Sequence, residues 1–148
     1  MSRLIYCCFA VPLLIPPVVF AICALAEGLS AAETLTALGE QFLTKRQNLL
    51  MCGTIGLFPV LLLLGCLWIH RRVDGNTRTR REMGWSGLIA IALVLIWVNV
   101  EFWPLFFPGR TDPGFPHGLE FLVGPALFAP IAMLFGIGVV WWARRPRR

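Results

Sequence analysis

An all-α integral membrane bundle of four transmembrane helices is the fold that this sequence predicts. Of the 148 residues, 57% are hydrophobic and only 14% are charged. A soluble domain of this size has too much surface to bury so many apolar side chains. Four apolar stretches recur, at about residues 4–26, 49–69, 85–107 and 119–143. Each can cross a hydrocarbon core about 30 Å thick as a helix, which satisfies its own backbone hydrogen bonds.

These spans and their short connections are expected to form one membrane domain over residues 1–148. The first span has an alternative interpretation, because Arg3, an apolar run and the small residues 24–26 also resemble a cleavable signal peptide. The apolar run is long for the hydrophobic region of such a peptide. The pattern therefore favours a retained first helix.

A short external amphipathic helix is predicted between the first and second spans. Ser30 and Glu33 have the spacing of a capping box, in which each side chain satisfies a free backbone amide at a helix start. Leu35, Leu38 and Phe42 follow at helical spacing. This pattern predicts a helix that lies on the membrane surface or against the bundle.

The orientation of the spans is predicted from the basic residues in their connections. Most of them lie in the second connection and the C-terminal tail, so both termini are expected in the cytoplasm. Lys45 is the only lysine, and this preference for arginine suggests a GC-rich bacterial genome and hence a bacterial inner membrane. The arginines predicted to contact anionic lipid headgroups are Arg71, Arg72, Arg78, Arg80, Arg81, Arg144 and Arg145.

The same charge pattern argues against nucleic acid as a partner. The basic residues form short clusters directly beside apolar runs, whereas a nucleic-acid site needs a basic face on a folded surface. Membrane lipids and other membrane subunits are the expected partners.

Motifs for catalysis and cofactor binding are missing from the chain. The sequence contains no Gly-rich phosphate loop, nucleophile elbow or zinc-protease motif. The five cysteines fall inside apolar runs without C-x-x-C spacing, so they predict neither a metal site nor a disulfide framework. The two histidines, His70 and His117, are predicted on opposite membrane sides, which disfavours a bis-histidine haem. No cofactor is assigned.

One polar cluster is predicted at the external ends of the third and fourth spans. Ionisable residues inside a span are costly and point to function, and Glu101 and Glu120 are the two carboxylates that qualify. His117 precedes Glu120 at helical spacing, and Asn99 and Arg110 are possible further members. Such a cluster could bind a cation, carry protons or orient a quinone headgroup. The alternative is structural, with Glu101 paired to Arg110 and Glu120 stabilising a helix start.

These observations favour a small non-catalytic subunit that packs against partners inside a larger membrane complex. The reasons are the short extramembrane segments, the missing catalytic motifs and the aromatic, glycine-bearing helices. A small oligomeric transporter or channel that uses Glu101 and Glu120 is the first alternative. A quinone-reactive or other redox enzyme is the second.

Overall fold

The chain is 93% helical and has no strands over the part that the structure, a computed structural model, describes: residues 2–73, 76–103, 107 and 122–144. Two π-helical segments, Gly39–Thr44 and Gly124–Phe128, accompany the α-helices. The α-helices are α1 (Ser2–Ala26), α2 (Ala31–Leu38), α3 (Arg46–Val73), α4 (Thr77–Phe102) and α5 (Ala129–Ala143).

Four helical stretches are long and apolar enough to cross a membrane, which confirms the predicted fold class. They are Arg3–Ala26, Cys52–Val73, Thr77–Phe102 and Gly124–Ala143. The helix that contains the third predicted span, α4, already begins at Thr77, before residue 85. The early start has a local cause: the Asn76 side chain accepts hydrogen bonds from the backbone N–H groups of Arg78 and Thr79, at 3.0 and 3.2 Å.

Close contacts at glycines establish how the spanning helices are arranged. Gly84 of α4 lies against Leu4 of α1 and Leu67 of α3, so the start of α1, the end of α3 and the start of α4 share one end of the bundle. The Ser86 hydroxyl donates to the Gly136 carbonyl of α5 at 2.9 Å. The C-terminus of α5 lies at that end too, because Arg144, just past α5, binds Glu82 near the start of α4. We call it the basic end and the opposite one the α2 end.

The π-helical segment before α5 marks the place where proline interrupts the fourth span. The Ala129 N–H bonds to the Gly124 carbonyl, five residues earlier, where an α-helix would bond four residues back. Pro130 follows directly and has no N–H to donate. The wider turn lets the helix continue past this proline.

The short helix predicted between the first and second spans is present as α2, and its capping box is confirmed. The Ser30 N–H and hydroxyl donate to a Glu33 carboxylate oxygen at 2.8 and 2.7 Å, and the Glu33 N–H donates to the hydroxyl. The hydrogen bonds from the Ser30 hydroxyl and N–H hold the pKa of Glu33 below its ordinary value. The box therefore weakens only as pH falls through that lowered pKa.

The apolar face of this helix differs from the predicted one. Phe42 is buried, but Leu35 is 69% exposed, and Thr34 faces inward instead. The π-helical segment after α2 inserts an extra residue, so Thr34 and Phe42 lie about two turns apart on one face. The expected i, i+3, i+7 spacing holds only for an uninterrupted α-helix.

Two apolar cores hold the helices together. The core at the α2 end consists of Val19, Phe20, Ala24, Phe42, Cys52, Val98, Trp103 and Phe107. The core toward the basic end consists of Leu4, Cys8, Val60, Leu63, Leu67, Met83, Leu88, Ile91, Leu95, Ala129 and Met133.

Candidate functional site

Asn99, a member of the predicted polar cluster, is buried inside the bundle. Its side-chain amide donates to the Leu95 carbonyl, and its oxygen accepts from the Trp103 indole N–H, both at 2.7 Å. Since a buried polar group costs free energy unless it is hydrogen-bonded, this pairing stabilises both side chains. Asn99 thus holds Trp103 in the core.

Glu101 lies on a different face of α4 from Asn99. Residues two positions apart on an α-helix point about 200° away from each other. Glu101 is accordingly exposed while Asn99 is 2% exposed. The structure does not bring these two predicted site residues together.

The remaining members of the predicted cluster, Arg110, His117 and Glu120, lie outside the described residues. Their proximity to Glu101 stays a prediction. Within the described ranges, no three His, Cys, Asp or Glu side chains come close enough together to hold a metal ion.

An aromatic cluster at the α2 end was missed by the sequence analysis. Phe20 makes edge-to-face contacts with Phe42, Trp103 and Phe107, with ring centroids 5.7, 5.3 and 5.2 Å apart. Phe42 also contacts Trp103 at 5.1 Å. These rings come from α1, the π-helical segment after α2, and the end of α4 and the residues beyond it. No local spacing could therefore reveal the cluster.

At the basic end, Glu82 joins two helices. The Arg144 guanidinium, just past α5, donates to both oxygens of Glu82 on α4 at 2.7 and 2.8 Å. Arg78, one turn before Glu82, donates to the same carboxylate at 3.2 Å. A two-point arginine contact is geometrically specific, so it fixes the end of α5 beside the start of α4.

The arginines predicted to contact lipid headgroups therefore differ in their surroundings. Arg78 and Arg144 share Glu82, and the Arg72 guanidinium lies 4.0 Å from the centre of the Trp68 ring. Arg71 and Arg81 are exposed, whereas Arg80 is half-buried. Arg145 lies outside the described residues.

A wide apolar groove runs between α4 and α5 on the outside of the bundle, with a volume of about 650 Å³. Ala90 and Ala132 provide small side chains along the groove, and exposed rings of Trp97, Phe128 and Phe135 border it. Small residues flanked by large ones are typical of positions where transmembrane helices approach closely.

The fourth span, next to this groove, is the least covered of the four. Only 11% of its apolar 18-residue stretch is buried, against 39%, 39% and 44% of the corresponding stretches in the first three spans. Phe135 and Trp142 are each 75% exposed. This span packs chiefly on α4 and presents most of its surface outward.

Comparison with known proteins identifies no relative: no family model, curated protein or solved structure matches the chain.

Proposed function

We propose that the protein is a small non-catalytic subunit of a larger membrane complex, and that a partner's transmembrane helix packs in the groove between α4 and α5. The observation that carries this proposal is the weak burial of the fourth span beside a groove with small residues along it. In a bilayer, helices associate through close packing at small residues, because lipid chains are as apolar as the side chains they would replace.

Glu101 supports a protein occupant over lipid alone. It lies one turn beyond Trp97, so both residues share the face of α4 that borders the groove. A carboxylate exposed near the end of an apolar helix is stabilised by a cation or hydrogen-bond donor at the same depth. The partner helix is therefore expected to carry a basic or hydrogen-bonding residue level with Glu101.

The groove can be tested with the tagged full-length chain in its native membrane. A photo-crosslinking amino acid at Ala132 should join one defined partner protein, while the same group at Ile22, which is 60% exposed on α1, should label mainly lipid. Ala132→Phe should reduce copurification of that partner about tenfold, because added bulk in a packed contact costs about 1–3 kcal/mol.

The matched control is Ala26→Phe, the same enlargement at an exposed position of α1, which should leave copurification unchanged. Crosslinks from Ala132 to lipid alone, or equal losses in both variants, would contradict the proposed interface. A homo-oligomer that carries cations in a Glu101-dependent way would support the transport alternative. A bound quinone or a visible absorption band would support the redox alternative.

We further propose that the basic end faces the cytoplasm of a bacterial cell and that the protein resides in the inner membrane. The support is the clustering of arginine at this end, where α1 begins and α3 and α5 end. Basic residues in short connections are retained on the cytoplasmic side during insertion.

This orientation predicts opposite labelling at two introduced cysteines. A cysteine at Thr111, in the third connection, should react with an impermeant maleimide on intact cells. A cysteine at Thr77, which leaves the helix-capping residue Asn76 unchanged, should react only after permeabilisation. The parent chain, with its own five cysteines, gives the background. The reverse labelling pattern would overturn the orientation.

A further inference from the structure

A narrow recess opens at the basic end, where α3, α4 and α5 meet. Its volume is about 270 Å³. Its lining is apolar apart from an imidazole, an indole N–H and a thiol: Cys66, Leu67, His70, Met83, Leu134, Ile137, Gly138 and Trp141. His70 and Trp141 lie nearest the helix ends, so the recess has an apolar body and a polar rim.

Helix register places Arg80 at the same depth as this rim. Gly87 of α4 lies against Leu63 of α3, and Gly84, one turn earlier on α4, lies against Leu67. Because α3 and α4 are antiparallel, Arg80, one further turn back, is level with residues about one turn past Leu67. That position on α3 is His70, which lines the recess.

The guanidinium of Arg80 contains a polar group without a partner. Its Nε is buried and makes no hydrogen bond. A buried donor left unsatisfied is costly, more so when it belongs to a charged group. Glu82, the described carboxylate nearest in sequence, is already engaged by Arg144 and Arg78. Among the described arginines at this end, Arg80 alone combines a buried donor without a partner and a position level with the recess, so it is the one best placed to receive an external anion.

We propose that this recess binds an anionic phospholipid, with its phosphate on Arg80 and one acyl chain in the apolar body. Guanidinium groups bind phosphate oxygens through charge-assisted hydrogen bonds. Basic recesses between transmembrane helices recognise anionic headgroups, and a continuous apolar slot beside the cation suits a lipid better than free phosphate. Arg80 then binds the headgroup of one specific lipid, whereas Arg72, Arg78 and Arg144 are held by protein contacts.

Native mass spectrometry of the full-length protein from nanodiscs tests this site. Nanodiscs that contain equal amounts of phosphatidylglycerol and phosphatidylcholine should yield protein with phosphatidylglycerol retained. Arg80→Gln should lower that retention about tenfold, the loss expected for one charge-assisted hydrogen bond. Arg81→Gln, which makes the same charge change at an exposed neighbour, should lower it less than about threefold.

A second variant fills the slot and leaves Arg80 in place. Gly138 lines the recess and a Cβ there meets no atom within 4 Å, so Gly138→Leu starts in open space and adds apolar bulk to the recess. This variant should also lower lipid retention, while millimolar inorganic phosphate should not displace the lipid from the parent protein.

Three results would overturn the proposal. Equal retention of the two lipids would remove the charge preference. Equal losses in the Arg80 and Arg81 variants would make the effect one of net charge. Unchanged retention in the Gly138 variant together with displacement by inorganic phosphate would assign Arg80 to a free anion instead. Arg80→Lys, which keeps the charge, gives an independent check if Arg80→Gln does not fold.

Discussion

Phe20→Ala is expected to lower the free energy of unfolding by about 3 kcal/mol. Phe20 is 1% exposed and contacts three other rings of the aromatic cluster, so its removal leaves a cavity among residues from three separate segments. Large-to-small changes of this kind cost about 3–5 kcal/mol in soluble cores. We expect a loss at the lower end of that range. In a membrane protein, an apolar side chain that leaves the packed core meets lipid, which is itself apolar, and not water.

The matched control for this substitution is Phe9→Ala, on the same helix. Phe9 is 43% exposed and belongs to neither core, so its loss should cost less than about 1 kcal/mol. Unfolding of both variants can be followed by circular dichroism in mixed micelles with increasing dodecyl sulfate. Similar losses in the two variants would show that the aromatic cluster does not hold the α2 end together.

Gly124→Ala is expected to destabilise the packing of the fourth span against α4 by about 1–3 kcal/mol. A Cβ at Gly124 would lie 2.2 Å from a methyl carbon of Val98, far inside contact distance. Valine is branched at Cβ and has few alternative rotamers, so the helices must separate to relieve the overlap. The same micelle titration measures the loss.

Gly138→Ala, nearer the C-terminus of the same span, provides the comparison. A Cβ there has no neighbour within 4 Å, and alanine favours helix more than glycine does. This change should leave stability equal or slightly higher. If the two glycine variants behaved alike, backbone flexibility and not close packing would explain the effect at Gly124.

Much of the fold was predictable because its causes are local. The four spans follow from runs of apolar residues, and the start of α2 follows from the spacing of Ser30 and Glu33. The course of α2 was less predictable, since the π-helical segment Gly39–Thr44 shifts Phe42 onto the face of Thr34. A single inserted residue changes the face without leaving a clear sequence signal.

Sequence analysis grouped the polar residues of the candidate site by their depth in the membrane and not by helix face. Asn99 and Glu101 are two residues apart in sequence, yet Asn99 is buried against Trp103 and Glu101 is exposed. The arginines were likewise predicted as one class of headgroup contact. Their surroundings differ because Glu82 binds Arg144, which lies 62 residues further along the chain.

The sequence alone determined the all-helical class, the number of spans and the arginine-rich character of one end. Bilayer thickness, backbone hydrogen bonding and charge bias act on each segment by itself, so they can be read without a partner segment. Only the tertiary structure decided which faces of these helices meet. An apolar helix has little contrast around its circumference, so close approach at Gly84, Gly124 and Gly136 selects the packed faces and leaves the groove between α4 and α5 exposed.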